Sequence, residues 1–212
     1  MTDRQIDIIV RRYASPPATS LGEPPKALVR DYLAKAFDLR ELKGQTILEI
    51  GAGCSHYGRI FLDNGCERYI ANDLIPERLA PSRIDDPRYQ ELPGDFLKID
   101  LPKPVDIVFA NLTMMFLVPL FPAFIAKIAK ALRPGGLFIG METNYWCPLS
   151  VLRRFADLKP NPARLFSPHR YAELYIRNGF VIERLVPFTA RYGWTTGNWL
   201  LGTNFWLRAK KR

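Results

Sequence analysis

The feature that most constrains the fold of this chain is a regular alternation of short apolar segments with helix-length segments. Strand patterns occur in seven places, at residues 45–50, 68–73, 88–95, 104–111, 136–143, 180–188 and 203–210. Strands that alternate with helices form a parallel sheet with crossover connections, because a parallel pair cannot be joined by a tight hairpin. The sequence therefore predicts an α/β domain with a doubly wound sheet.

Helix start and stop signals agree with this alternation. Lys26 to Leu39 carries an apolar face at helical spacing, and residues 121–133 carry a second one that Pro134 would stop. A third helix is predicted to begin after Ser167, which has the residue type of an N-cap, and to end at Gly179. A further helix-length segment around Tyr57–Asn64 separates the first two strands, so four helices are expected between or beside the strands.

Two segments fall outside the alternation. Residues 1–25 are rich in proline and predict an N-terminal arm, so that the α/β domain occupies residues 26–212. Residues 145–166 contain Trp146 and Pro148 and carry no strand pattern. They predict a small insertion after the fifth strand, over the edge of the sheet.

One uncharged stretch of 20 residues, Ile107–Ala126, is long enough to span a bilayer. Asn111, Pro119 and Pro122 interrupt it, and its period changes from that of a strand to that of a helix, which predicts a strand, a loop and a helix. The first ten residues carry charges that do not fit a signal peptide, and three cysteines make neither a disulfide framework nor a zinc site. We expect a cytoplasmic protein without a transmembrane segment or a metal.

The net charge of +9 is located in the C-terminal third. Residues 1–150 contain 18 basic and 18 acidic residues, whereas residues 151–212 contain 12 and 3. All four tryptophans lie at position 146 or later. A basic, aromatic surface fits an anionic metabolite, an RNA or a membrane face, and it equally fits a solvated surface over core aromatics.

The carboxyl ends of the strands are where an open α/β sheet binds its ligands. Gly51 and Gly53 follow the first strand, and glycine permits a tight turn and a close approach of the backbone to a ligand. Asp73 ends the second strand, where a carboxylate can accept both hydroxyls of a ribose. A dinucleotide fingerprint needs a third glycine where this chain has His56, so the pattern favours a nucleoside cofactor other than NAD or FAD. The alternative is that the glycines serve only the turn and the carboxylates cap helices.

Two further strand ends carry suitable groups. Asp95 and Phe96 follow the third strand, where a carboxylate and a ring can hold the amine and the face of an adenine, and Asn111 ends the fourth strand. Taken in order, six blocks resemble class I S-adenosylmethionine-dependent methyltransferases of types 11 and 12 over residues 26–210. The blocks are ILEIGAG, YIANDLIPERL, PGDF, DIVFAN, ALRPGGLFI and SPHRYAELYIRNGF.

This resemblance implies a Rossmann-like sheet of seven strands whose last strand is antiparallel. It also implies S-adenosylmethionine as the cofactor and S-adenosylhomocysteine as the product. Eight positions match residues that hold this cofactor in the family. They are Glu49, Gly51, Gly53 and Asn111 for the methionine part, Asp73 for the ribose, and Leu74, Asp95 and Phe96 for the adenine.

The chain departs from the family pattern in two places. Ser55 stands where many members have a third glycine, which leaves the shape of the following loop open. Asn111, Leu112, Thr113 and Met114 replace the NPPY-type motif of related amino-group methylases, which disfavours methylation of a base amine.

Methyl transfer is an in-line displacement that chiefly requires an aligned acceptor, and a base is needed only when the acceptor is protonated. Glu142, at the end of the fifth strand, and Tyr145 are expected to contact the acceptor. His169 is a third catalytic candidate, although the first turn of a helix equally suits a solvated side chain. We expect O- or N-methylation of a small acidic or amphipathic molecule. The alternatives are an RNA-modifying enzyme that uses the basic C-terminal third and a non-catalytic cofactor-binding module, and the oligomeric state is open.

Overall fold

The computed structural model describes most of the predicted domain. The described residues are 33–34, 38–54, 57–114, 120–144, 147–148, 167–189, 194–195 and 198–212. The predicted arm, most of the predicted helix at 26–39 and nearly all of the predicted insertion at 145–166 lie outside these ranges, and so do Ser55, His56 and Tyr145.

The elements follow one another as the sequence predicts. In chain order they are β1 Thr46–Ile50, α1 Tyr57–Asp63, β2 Arg68–Asp73, β3 Tyr89–Pro93, β4 Val105–Asn111, α2 Phe121–Ala131, β5 Leu132–Thr143, α3 Pro168–Arg177, β6 Phe180–Thr189, β7 Trp194–Thr195 and β8 Asn204–Lys211. Short 3₁₀ turns are found at Leu39–Leu42, Pro76–Arg78 and Ala80–Ser82.

The strands form one sheet in the order β3-β2-β1-β4-β5-β8-β6-β7. β1, β2 and β3 pair in parallel, whereas β8 pairs antiparallel with both β5 and β6. β7 has only two residues, and without it the sheet has the seven predicted strands with an antiparallel last strand. The predicted fold class is confirmed. By compactness the chain divides into residues 1–109 and 110–212, which are described in turn.

The core of the first unit forms around β1. All five residues of β1 are buried, and a strand covered on both faces needs the run of apolar side chains that the sequence has there. Phe61 of α1 packs against Tyr69 of β2 and against Phe109, with ring centroids 5.7 and 5.4 Å apart. The connection between β1 and α1 is therefore anchored at both ends by buried residues.

The core of the second unit forms where α3 lies on the sheet. Tyr175 stacks on Phe138 of β5 with ring centroids 4.6 Å apart, and Tyr171 meets Phe205 of β8 edge-on at 5.5 Å. The hydroxyl of Ser167 accepts the amide of Arg170 at 3.1 Å, so α3 begins at the predicted N-cap.

The junction between α2 and β5 differs from the prediction. The helix ends at Ala131 instead of 133, and the strand begins at Leu132 instead of 136. A proline at position 134 disfavours helical backbone at Arg133. The ammonium group of Lys211 donates to the carbonyl of Leu132 at 2.6 Å, which holds this extended backbone in place.

The uncharged stretch at 107–126 is divided between β4 and α2, with residues 115–119 outside the described ranges. The predicted strand and the predicted helix of this stretch are confirmed. In the part of the chain that the structure describes, no helix is both long enough and apolar enough to cross a membrane.

Candidate functional site

The turn after β1 contains two glycines in a conformation that other residues rarely adopt. Gly51 has φ +68° and Gly53 has φ +50°, and this left-handed backbone favours glycine because it has no Cβ. The amide of Ala52 donates to the carbonyl of Asn72 in β2 at 2.8 Å. The turn is thereby tied to β2 and presents its backbone at the carboxyl end of β1.

Asp73, the last residue of β2, contacts this turn. Its Oδ2 accepts the amide of Gly53 at 2.8 Å, and its Oδ1 accepts the amide of Ile75 at 2.9 Å. Asp73 is 5% exposed, and burial raises the pKa of its carboxyl, whereas the two amides and the charge of Arg78 act to lower that pKa. Each carboxylate oxygen can accept more than one hydrogen bond, so Asp73 retains the capacity to accept two hydroxyls from a ligand.

Arg78, which the sequence analysis did not single out, covers the glycine turn. A Cβ placed on Gly53 would lie 3.1 Å from Nη2 of Arg78 and 3.4 Å from its Cζ. The hydroxyl of Ser82 donates to the carbonyl of Gly53 at 2.9 Å. Arg78 lies within the block YIANDLIPERL but received no role there, and no motif marks Ser82. The signal that could have found them is their place in the two 3₁₀ turns that follow Asp73.

The ends of β2 and β3 are joined by hydrogen bonds. The amide of Gly94 donates to the carbonyl of Asp73 at 2.8 Å. Nδ2 of Asn72 donates to the carbonyls of Leu92 and Gly94 at 2.7 and 3.1 Å. Asp95 follows directly, so the structure brings Asp73 and Asp95 to neighbouring strand ends that are linked through Gly94.

The remaining predicted contact residues at this end of the first unit differ in exposure. Oδ1 of Asp95 accepts the amide of Leu97 at 3.1 Å, which fixes the turn after β3. Leu74 is half-buried, whereas Phe96 is 3% exposed and belongs to the core. Leu74 is therefore the more accessible of the two apolar residues predicted to contact adenine.

Glu49 is a buried carboxylate two residues before Gly51. It is 1% exposed, and its Oε2 accepts the hydroxyl of Tyr69 at 2.6 Å. A hydroxyl–carboxylate bond of this length is charge-assisted and strong. The contact orients Glu49 within β1, two residues before the glycine turn begins.

In the second unit, the backbone after β4 is strained at one residue. Leu112 has φ +52°, which costs energy for a residue that carries a Cβ. Its amide donates to the carbonyl of Met141 at 2.8 Å, and the hydroxyl of Thr113 donates to the carbonyl of Asn111 at 3.1 Å. Asn111 itself is half-buried at the end of β4.

Glu142 of β5 holds the same segment. Its Oε1 accepts the amide of Met114 at 2.8 Å, and the residue is 4% exposed. Burial raises the pKa of Tyr171 and of Tyr175 well above 10, and the negative charge of Glu142 raises both further. The hydroxyls of the two tyrosines lie 3.3 Å apart. Glu142 is thus a buried carboxylate that is bonded to the main chain.

Asn144, directly after β5, connects to the turn before β8. Its Nδ2 donates to the carbonyls of Trp199 and Gly202, each at 2.7 Å, and the residue is fully buried. His169 is exposed, and its ring lies 5.4 Å from that of Trp199. Tyr145, the other candidate to contact an acceptor, lies outside the described residues.

The donor set of the first unit fits an adenosyl group. Asp73 can accept a ribose diol, Asp95 lies at the next strand end, and Gly51 and Gly53 add no side chain to the turn. Within the described ranges, no three His, Cys, Asp or Glu side chains are grouped so that they could hold a metal ion.

Comparison with known proteins agrees with this geometry. The family of methyltransferase domains matches residues 48–140. The ribosomal protein L11 methyltransferase of Azotobacter vinelandii is 35% identical over 117 residues, which is 53% of this chain and 37% of that protein. The chain therefore spans little more than a third of the length of this relative.

Solved structures share the fold. An S-adenosylmethionine-dependent methyltransferase from Mesorhizobium loti has a TM-score of 0.69 at 18% identity and covers 87% of this chain and 98% of its own. The magnesium protoporphyrin IX methyltransferase of Synechocystis, solved with bound S-adenosylhomocysteine, has a TM-score of 0.69 at 14% identity and covers 98% of this chain and 100% of its own.

Proposed function

We propose that this chain, which carries a methyltransferase domain with the class I, S-adenosylmethionine-dependent fold, transfers the methyl group of S-adenosylmethionine to a small-molecule acceptor. The observation that carries the proposal is the contact between the glycine turn and Asp73. The Gly53 amide is bonded to Asp73, and the carboxylate retains acceptor capacity for two hydroxyls.

In this proposal the first unit binds the cofactor. Asp73 accepts the ribose hydroxyls, Asp95 accepts the adenine amine and Leu74 packs against the adenine ring, while Phe96 supports that end from the core. Gly51 and Gly53 let the backbone approach the methionine part, and Glu49 orients the strand from which they come. Asn111, which belongs to the second unit, stays a prediction for the amino acid moiety.

When bound, S-adenosylmethionine supplies a methyl group on a sulfonium, which is a good leaving centre. The residues of this chain therefore have to align an acceptor and exclude water, and alignment can lower a barrier by about 7–11 kcal/mol. In our proposal Glu142 acts on the acceptor through the segment 112–114, which it holds by the Met114 amide. Tyr145 and His169 are the candidates for direct contact with the acceptor.

Two observations favour a small acceptor. The Synechocystis enzyme, named for magnesium protoporphyrin IX, aligns over nearly the whole of both chains, whereas more than half of the L11 methyltransferase lies outside its match. Two basic residues of the C-terminal third are also paired with carboxylates: Arg208 with Glu183 at 2.7 Å, and Arg177 with Glu173. Less positive charge is then available for an RNA backbone.

A protein acceptor is the second candidate, because the L11 methyltransferase relatives reach 35% identity over the matched region. Methyl-labelled S-adenosylmethionine would be incubated with the protein and, separately, with a metabolite extract, total RNA and ribosomal protein L11. We expect label in the metabolite extract. Label confined to L11 would favour the second candidate, and label confined to RNA would contradict both.

The cofactor assignment has its own test, thermal or urea unfolding with S-adenosylhomocysteine. At a ligand concentration of about 100 times Kd, the free energy of unfolding should rise by about 2.7 kcal/mol. Adenosine diphosphate at the same concentration is the control, since it shares the adenosine and lacks the amino acid. No stabilisation of a folded protein shown to be free of carried-over ligand would contradict the proposal.

A further inference from the structure

We propose that Arg78 is a positioning residue of the cofactor site, which holds the glycine turn against Asp73 and keeps that carboxylate in its ionised, hydrogen-bond-accepting form. The inference rests on the proposed function, because it concerns the same ligand. It adds a cation to a site that is otherwise built from carboxylates and backbone amides.

The guanidinium of Arg78 packs against Gly53. The three heavy atoms nearest to a Cβ built on Gly53 all belong to the guanidinium, at 3.1, 3.4 and 3.6 Å. A planar guanidinium therefore lies against the face of the turn that a side chain would fill. The hydroxyl of Ser82, which donates to the carbonyl of Gly53, holds the same residue from the following 3₁₀ turn.

The charge of Arg78 also acts on the carboxyl of Asp73. Burial opposes ionisation of a carboxyl, and the residue is only 5% exposed. The amides of Gly53 and Ile75 offset part of this cost, and Arg78 supplies the opposite charge. Of the other acids in the described part of the site, Glu49 is bonded to Tyr69 and Asp95 to the amide of Leu97.

Ionisation matters because of what a ribose diol requires. Two hydroxyls must donate to Asp73 while its oxygens continue to accept the two amides, and only the carboxylate form has acceptors for all four. A protonated carboxyl turns one acceptor position into a donor. Affinity for S-adenosylhomocysteine should therefore fall when Asp73 becomes protonated, and removal of Arg78 should move that fall to higher pH.

The test is calorimetric titration with S-adenosylhomocysteine between pH 5 and 8. Arg78→Gln should bind more weakly than the original protein, and its loss of affinity on acidification should begin at a higher pH; a shift of about one pKa unit would make it up to about tenfold weaker at the acidic end of the range. Arg78→Lys should restore the original pH profile, because it restores the charge, and only part of the affinity. Arg83→Gln is the matched control, since Arg83 forms an exposed pair with Glu91 at 2.7 Å, and it should bind as the original protein does.

Two outcomes would overturn the inference. One is that Arg78→Gln keeps the original affinity and pH profile, and the other is a loss of affinity that is uniform with pH and that Arg78→Lys does not rescue. If Arg78→Gln does not fold, Arg78→Lys is the remaining test. Either an affinity equal to that of the original protein or a shifted pH profile in Arg78→Lys would then overturn the inference. Absence of binding by the original protein would instead overturn the proposed function.

Discussion

The two units of the chain use their buried polar side chains differently. In the first unit, Asp73 accepts amides from positions 20 residues before it and 2 residues after it, at the ends of neighbouring parallel strands. In the second unit, Glu142 bonds to a residue 28 positions away and Asn144 to residues 55 and 58 positions away. The first arrangement joins the turns at neighbouring strand ends, whereas in the second the Asn144 bonds join the end of β5 to the turn before β8.

The difference separates the residues that we propose to bind the cofactor from the residues that hold the backbone of the second unit. A carboxylate that accepts two backbone amides at a glycine turn suits any adenosyl ligand, whatever the acceptor. Glu142 and Asn144 instead hold the backbone at Met114, Trp199 and Gly202 of the second unit. The five predictions that follow test this division.

Asp73→Asn should have the largest effect, a loss of at least about 100-fold in affinity for S-adenosylhomocysteine, or about 2.7 kcal/mol. The amide of the new side chain would face either the Gly53 or the Ile75 amide, so one acceptor is lost without a change in shape. Isothermal titration calorimetry measures this loss of affinity. Asp38→Asn, which removes an exposed partner of Arg40, is the matched control and should bind as before. Equal binding by both variants would contradict the division.

Asn144→Ala should lower the free energy of unfolding by about 2–3 kcal/mol, because the buried carbonyls of Trp199 and Gly202 lose their donor. Urea unfolding measures the loss. The comparison variant is Asn178→Ala, whose Nδ2 donates to the carbonyl of Leu174 in a more exposed setting. A larger loss in Asn178→Ala would show that the turn before β8 does not depend on Asn144.

Glu142→Leu should cost about 2 kcal/mol of stability, because the Met114 amide loses a charged acceptor inside the second unit. Glu142→Gln keeps an oxygen for this amide and should lose about half as much. Hydrogen exchange at the Met114 amide, read by mass spectrometry, should accelerate more in the leucine variant. Unchanged exchange in both variants would mean that Glu142 does not hold the segment.

The two tyrosines of the second unit should make the protein sensitive to alkali. Burial keeps the pKa of Tyr171 and Tyr175 well above 10, whereas in the unfolded chain they ionise near 10. Above pH 10 the unfolded state therefore binds fewer protons than the native state, and the free energy of unfolding falls as pH rises, by up to about 1.4 kcal/mol per pH unit for each tyrosine. The Tyr171→Phe, Tyr175→Phe double variant should show a shallower fall in urea unfolding between pH 9 and 11, and an identical slope would refute this.

The smallest effect is expected at Cys66 of the first unit. Burial raises the pKa of this thiol to about 11, so it should stay protonated and unreactive toward iodoacetamide at pH 8. Mass spectrometry after brief labelling should find Cys66 modified only when denaturant is present. Rapid modification in the native protein would place the thiol at an open surface.

The sequence allowed prediction of most of the described part of the first unit, because its signals are local. β2 has the predicted bounds, and Gly53 and Asp73 meet as expected of a strand-end glycine turn and a carboxylate at the next strand end. Arg78 was missed because its contact with Gly53 forms only when the turn is folded. The roles assigned to these residues in cofactor binding stay predictions.

The second unit was harder to predict because its contacts are distant in sequence. The strand patterns and the start of α3 were confirmed, but the α2–β5 junction was displaced by the proline at 134 and by a contact from Lys211. Nothing in the residues 142–144 alone indicates that Asn144 bonds to Trp199 and Gly202. Antiparallel pairing with β8, more than 60 residues later, creates that environment.

Amide resonances give the most direct test of whether Asp73 and the glycine turn bind the adenosyl group. In a titration of the ¹⁵N-labelled protein with S-adenosylhomocysteine, the amides of Gly53 and Ile75, which both donate to Asp73, should shift together and saturate. The amide of Gly44, bonded to the carbonyl of Gly65, should stay unchanged. Saturable binding that leaves Gly53 and Ile75 unmoved would contradict the account.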